Sequence, residues 1–238
     1  MLTFTPAPAS LPDGLRIYAI GDVHGCAAQL EELHAQITAD LAARPVAEAR
    51  LIHLGDYIDR GADSAAVIAR LAGDPPIAGL PTINLTGNHE QMMLTALATL
   101  DPDDIAQWLA NGGADALRSW GVAPEMPAAE WLMAIEPAHL RFLRDLDITH
   151  RAGGYLFVHA GIRPGVPLEQ QSPHDLVWIR EAFLACDDDF GVVVVHGHTP
   201  VAAPLVRRNR IDIDTGAYLG RALTCAVLED ERVGFLQA

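Results

Sequence analysis

The 238-residue chain has few cysteines, few aromatics and few basic side chains, and each shortage excludes something. Three cysteines (Cys26, Cys186 and Cys225) are an odd number, widely spaced and without a Cys-x-x-Cys pair, so neither a disulfide framework nor a thiolate zinc site is suggested. Sixteen Lys and Arg against 31 Asp and Glu give a formal charge of −15, which works against a partner held through phosphate backbones or anionic lipid. No nucleic acid and no membrane partner is therefore expected. The N-terminal MLTFTPAPASLPDGLR has no basic region, and Pro6, Pro8 and Pro12 interrupt any apolar run that a signal peptide or membrane span would need. Residues 1–14 read as a short flexible leader, and the cytoplasm is the simplest compartment.

What is present supports a folded globular core. A 50% hydrophobic content over this length is enough for one well-buried α/β domain, residues 15–238. Five short apolar runs end in polar turns: residues 16–20 before GDVHG, 50–54 before GDYIDRG, 82–85 before TGNHE, 155–158 before HAG, and 192–195 before HGHTP. Each reads as a buried strand with its polar group at the C-terminal end. Leucines at 30, 33 and 41, and the Ala-rich stretch 62–71, read as intervening helices, which gives β-α-β-α-β. Ligand chemistry in such sheets gathers at the carboxyl ends of the strands, so all five turns are expected along one edge.

Residues 101–150 lack the strand-and-turn unit. With Trp108, Trp120, Trp131, several prolines and helical apolar spacing at 105–109 and 140–146, they read as a helical insertion on the rim of the site. Residues 211–214 and 223–228 read as further strands, antiparallel in arrangement. The sum is a mixed α/β sandwich.

The polar turns carry metal-ligand chemistry. In Asp22-Val23-His24, alternation along an extended segment lets both side chains face one way and offer a carboxylate oxygen and an imidazole nitrogen to one ion. Asp56, in a similar Gly-Asp context, can bridge two ions, one per oxygen. Asn88, His159 and His198 supply neutral ligands for the second. Each alone reads as an ordinary turn or core residue; five strand ends carrying Asp/His, Asp, Asn/His, His and His in one chain do not read as accident. Mixed N/O ligands suit Mn²⁺, Fe or Zn²⁺ better than Ca²⁺. Paired ions acidify a water and clamp oxygens around an in-line displacement, which points to a phosphoester substrate.

GDVHG (21–25), GDYIDRG (55–61) and GNHE (87–90) resemble the three signature blocks of the phosphoprotein phosphatase family of calcineurin-like metallophosphoesterases, in the same order. VHAG (158–161) and GHTP (197–200) fit it too. GNHEQMM, WLANGG (108–113), WIRE (178–181) and IDTG (213–216) are similar to its small bacterial and phage-type serine/threonine phosphatases. The resemblance implies the family's α/β/β/α sandwich flanked by helices. It implies metal roles for Asp22, His24, Asp56, Asn88, His159 and His198, and two divalent ions, with Mn²⁺ the first expectation. It further implies that Arg60, Arg180 and Asn88 meet phosphate oxygens, and that His89, held by Asp59, protonates the leaving alkoxide. A phosphorylated protein or peptide is the implied substrate, hydrolysed directly by an activated water.

Several residues stand outside that assignment. Glu90 reads as a helix N-terminal carboxylate, His196 as a neighbour of the ligands, and His34, His53, His139, His150 and His174 as surface or hydrogen-bonded core. Symmetrical diadenosine tetraphosphate hydrolases are similar in the first two blocks but usually depart from the Asp59-Arg60-Gly61 and Glu90 found here. A non-catalytic phosphopeptide-binding module is disfavoured by the intact ligand set.

Overall fold

The computed structural model describes residues 2–238, which form two sheets. In chain order the strands are β1 (Phe4–Pro6), β2 (Leu15–Ile20), β3 (Glu48–His53), β4 (Thr82–Asn84), β5 (Thr149–Ala152), β6 (Tyr155–Val158), β7 (Val193–His196), β8 (Leu205–Val206), β9 (Arg210–Asp212), β10 (Thr224–Glu229) and β11 (Arg232–Gln237). One sheet has the order β1-β11-β10-β2-β3-β4 and the other β5-β6-β7-β9-β8.

Period-two alternation along these strands makes the layers. Tyr18, Ile20 and Leu51 point into a core shared with helices, whereas Ile17, Ala19 and Ile52 point into the space between the sheets. On the other side of that space lie Tyr155, Phe157, Val193 and Val195, while Leu156, Val158 and Val194 face a third cluster with Leu176 and Phe183. Strands covered on both faces must be apolar throughout, which is why they stand out as continuous runs. The layering is α/β/β/α, as the resemblance implies.

β2, β3 and β4 run parallel, and so do β6, β7 and β9. Their carboxyl ends therefore deliver the polar turns to one edge. The expectation of antiparallel tail strands holds for β10, which pairs that way with β2 and β11, but needs correction for β9. The β8–β9 hairpin sets β9 parallel to β7, and only β8, on the outside, is antiparallel to it.

Helices α1 (Ala27–Ala43), α2 (Ser64–Ala72) and α3 (Asn88–Thr99) follow the first three site strands. Leu30, Leu33, His34 and Ile37 give α1 a buried stripe at helical spacing. The insertion holds α4 (Pro102–Trp108), a kinked turn at Leu109–Gly113, α5 (Ala114–Ser119), α6 (Ala128–Ala134) and α7 (Pro137–Arg144). It packs on α2 and α3, and Trp108 and Trp131 are buried in the main core. Residues 149 and 150 already belong to β5. α8 (Pro173–Trp178) and α9 (Glu181–Leu184) complete the set. No helix among the described residues is long and apolar enough to cross a membrane.

The flexible-leader expectation is corrected for residues 4–14. β1 adds to the sheet edge beside β11, with the Phe4 ring under the guanidinium groups of Arg44 and Arg232 at 4.8 and 5.0 Å. Leu11 is buried in the inter-sheet core, and its N–H donates to the Asp230 carbonyl. Pro6 sits in this edge strand, where a missing N–H costs no ladder bond, and Pro8 and Pro12 lie in the connection to β2.

Candidate metal centre

The first two polar turns are clipped together by backbone. The N–H groups of Val23 and His24 both donate to the Asp56 carbonyl at 3.1 and 2.8 Å, and Gly25 donates to Tyr57 at 2.8 Å. Gly55 is required where it stands: its φ is +101°, and a Cβ would lie 2.5 Å from the backbone nitrogen of Gly87. Glu90 does more than cap a helix. Its carboxylate accepts from the backbone N–H of Asp56, Tyr57 and Gly87, all at 2.8 Å, and so ties the second block to the third. His24, Asp56, Asp59, Arg60 and His198 all adopt φ between +42° and +71°. That left-handed backbone costs on the order of 1–3 kcal/mol per residue away from glycine, and here it is concentrated where side chains must converge.

Asp56 is the hub of the cluster. Its Oδ2 lies 3.4 Å from His24 Nε2 and its Oδ1 lies 3.4 Å from His159 Nε2. His24 donates its Nδ1 proton to the Ile58 carbonyl at 2.8 Å, and His159 donates its own to the Leu54 carbonyl at 3.0 Å. Both Nε2 atoms therefore present lone pairs to carboxylate lone pairs. Such facing acceptors repel unless a cation lies between them, and there is one such contact for each oxygen of Asp56. Asn88 Oδ1 and His198 Nδ1 lie 3.1 and 3.2 Å from His159 Nε2. Asp22 accepts the His198 N–H on Oδ2 at 3.0 Å and leaves Oδ1 buried with no hydrogen-bond partner. These residues fit a pair of divalent ions. His24, Asp56 and His89 form one group of potential ligands and Asp56, His159 and His198 a second.

Burial dominates the electrostatics. It pushes the Asp56 carboxyl up to about 7 and the Asp22 carboxyl well above its usual range, the latter helped by the charges of Asp214 and Asp56. It pushes His24 down to about 3 and His159 down to about 4. Neutral imidazoles are the form that ligates, and crowded carboxylates gain most from an added cation.

Every residue expected from the sequence is brought to this edge. Arg60 donates from Nη1 to His24 Nε2 at 3.1 Å, and Arg180 donates from Nε to His198 Nε2 at 2.9 Å, so one guanidinium flanks each group of ligands. The carboxylate of Asp59 lies 2.7 Å from His89 Nδ1, while His89 Nε2 is buried without a partner, 3.9 Å from Asp56 Oδ2. That position serves a proton donor and also admits a metal ligand. Burial lowers His89, with help from His24 and Arg60, and burial raises Asp59 against the opposing hydrogen bond from Trp108.

Four neighbours escaped the sequence reading. Asp214 is buried beside Asp22, with its Oδ1 on the Gly216 N–H at 3.0 Å. Tyr218 lies under the Arg60 guanidinium at 4.6 Å and edge-on to His24 at 5.0 Å. Trp108 reaches Asp59, and Asp212 sits 4.0 Å from the buried Nε2 of His196. Asp214 and Tyr218 follow a strand in the same way as the recognised turns, a signal that was available. Trp108 gave none. Elsewhere His34 and His53 pair through Nε2 atoms 3.1 Å apart, buried in the core.

The chain belongs to the calcineurin-like phosphoesterase family, whose pattern it matches over residues 15–234. It is 29% identical to serine/threonine-protein phosphatase 1 of Salmonella typhimurium, over 90% of this chain and 92% of that protein. It is 30% identical to the symmetrical bis(5'-nucleosyl)-tetraphosphatase of Methylococcus capsulatus, over 63% of this chain and 44% of that one. A crystal structure described as a candidate diadenosine tetraphosphatase covers 97% of this chain and shares its fold, with a TM-score of 0.68 at 20% identity.

Proposed function

We propose that the chain is a serine/threonine phosphoprotein phosphatase, cleaving phosphate monoesters by direct attack of water. The observation that carries this reading is the buried Asp59–His89 pair, whose free Nε2 faces the cluster. A serine or threonine alkoxide is a poor leaving group and needs a proton as the P–O bond breaks, help worth ~10²–10⁴-fold. A nucleotide released from a polyphosphate leaves as a weakly basic phosphate and needs far less. Likeness over nearly the full length to a serine/threonine-protein phosphatase supports the same choice.

In this reading Asp22, His24, Asp56, Asn88, His159 and His198 hold two divalent ions, for which Mn²⁺ is the first candidate. Bound there, the ions supply an acidified water and neutralise phosphate charge. Arg60 and Arg180 donate to the phosphoryl oxygens, with Asn88 on the same side, and fix them for in-line displacement. Tyr218 keeps the Arg60 fork in place through its ring face. With both ring nitrogens protonated, His89 delivers its Nε2 proton to the departing oxygen, and the ionised Asp59 holds Nδ1–H and offsets the imidazolium charge.

Similarity to symmetrical tetraphosphatases supports a second reading, hydrolysis of a dinucleoside polyphosphate. Mn²⁺-loaded protein given a phosphoserine peptide and, separately, diadenosine tetraphosphate separates them. The expected result is a higher kcat/KM on the peptide; a reversed preference would favour the second reading, and no turnover of either would favour a binding module.

A further inference from the structure

Trp108 ends α4 in the helical insertion, yet its indole N–H donates to both oxygens of Asp59, at 3.0 and 3.1 Å. Asp59 Oδ2 lies in turn 2.7 Å from His89 Nδ1. Trp108, Asp59 and His89 are each 0% exposed. Among the described residues, no other side chain donates a hydrogen bond to that carboxylate. The orientation of the imidazole therefore depends on a carboxylate whose own plane is set by one indole.

The indole is itself held in place. The Trp131 ring meets it edge-on at 5.8 Å, and a Cβ on Gly113 would lie 2.6 Å from its ring atoms. The chain leaves Trp108 through a kink at Leu109–Gly113, where Gly112 adopts φ +105° and its carbonyl accepts from the Arg60 N–H at 3.4 Å. A Cβ on Gly112 would lie 2.5 Å from that Arg60 nitrogen. One turn of the insertion thus fixes the donor to Asp59 and abuts the backbone of the next residue, Arg60.

We propose that Trp108 is a positioning residue that acts through Asp59 on His89, so that the insertion sets the aim of the proton donor. The proposal rests on the reading of His89 as that donor. A buried carboxylate with one partner can rotate about its Cβ–Cγ bond; a second donor bridging both oxygens removes that freedom. Misplacing a proton donor by about 1 Å costs on the order of 10²-fold, and only for leaving groups that need the proton.

Trp108→Phe removes the N–H and keeps most of the ring volume. The expected result is a kcat on a phosphoserine peptide lower by about 10- to 100-fold, with KM and bound metal unchanged and a much smaller loss on an activated aryl phosphate. Equal losses on both substrates, or loss of metal, would overturn the proposal. A second arm uses metal-free ¹⁵N-labelled protein and does not depend on turnover. The Trp108 indole N–H resonance is expected to be protected from solvent exchange and to move on Asp59→Asn, whereas an unmoved resonance would overturn the proposal. Should Trp108→Phe fail to fold, Gly113→Ala, which pushes a methyl against the indole, is expected to give the same substrate split. If the unsubstituted protein hydrolyses no phosphopeptide, the proposed function fails, and the resonance arm still decides whether Trp108 and Asp59 are coupled.

Discussion

His159 Nε2 lies 3.4 Å from Asp56 Oδ1 with its only proton on the opposite nitrogen, held by the Leu54 carbonyl. The contact sets acceptor against acceptor, and the same relation recurs between His24 and the other Asp56 oxygen. Asp56→Asn removes the charge while keeping the shape. It is expected to abolish phosphatase activity and cut bound Mn²⁺ to one ion or fewer per chain, while raising the melting temperature of chelated protein because a buried charge is gone. Elemental analysis and calorimetry check both halves; full metal occupancy in the variant would exclude Asp56 as the bridge.

Stability without metal is expected to depend on pH in a particular window. Above about pH 7.5 the histidines are neutral in both states, since the unfolded ones have titrated near 6.5 and burial lowers rather than raises those whose values shift, as at His24 and His159. Burial holds Asp56 up at about 7 and Asp212 at about 8, so the folded state retains protons that the unfolded chain has already lost. Stability in chelator should therefore fall as pH rises from about 7.5 to 8.5. Added Mn²⁺ takes the place of the retained protons and should stabilise more at the upper end. Melting curves with chelator and with Mn²⁺ across that window test this, and a chelated protein that gains stability toward pH 8 would contradict it.

Asn88 and His89 are neighbours with different proposed tasks. Asn88→Ala should lower occupancy of the second metal position, because a methyl cannot replace the amide oxygen. His89→Asn should leave both ions bound and slow hydrolysis of a phosphoserine peptide by ~10²–10⁴-fold, with a smaller deficit on an aryl phosphate. Metal loss in the His89 variant would instead place that imidazole among the ligands, a position the geometry admits.

Glu90→Gln should destabilise the protein although Glu90 touches no proposed ligand side chain. Its carboxylate accepts four backbone N–H groups, two on each oxygen, and an amide can offer one oxygen to them while its NH₂ opposes the rest. A loss of about 1–3 kcal/mol is expected by denaturant titration. An unchanged midpoint would mean that the loops are held by other contacts.

The site was legible in the sequence wherever chemistry sits in the turn after a largely apolar strand. Asp22, Asp56, Asn88, His159 and His198 all do so, within four residues of a strand end at the carboxyl edge of the sheets. The stretch 108–113 was recognised as a motif, but the role of Trp108 was not legible, because it depends on a kink at Gly112 and on Gly113 lying against its ring, which show only in three dimensions. Glu90 read as a helix cap because the loop it binds is 33 residues away at Tyr57. The short strands β1 and β8 escaped for a similar reason, since strands of three and two residues at sheet edges owe their form to a neighbour rather than to their own alternation.

The most direct measurement is anomalous diffraction at the manganese edge from crystals equilibrated with Mn²⁺. Two peaks are expected, one between His24 Nε2 and Asp56 Oδ2 and the other between His159 Nε2 and Asp56 Oδ1, where lone pairs now oppose each other at 3.4 Å. A single peak, or peaks that leave either oxygen of Asp56 without a cation, would contradict the account.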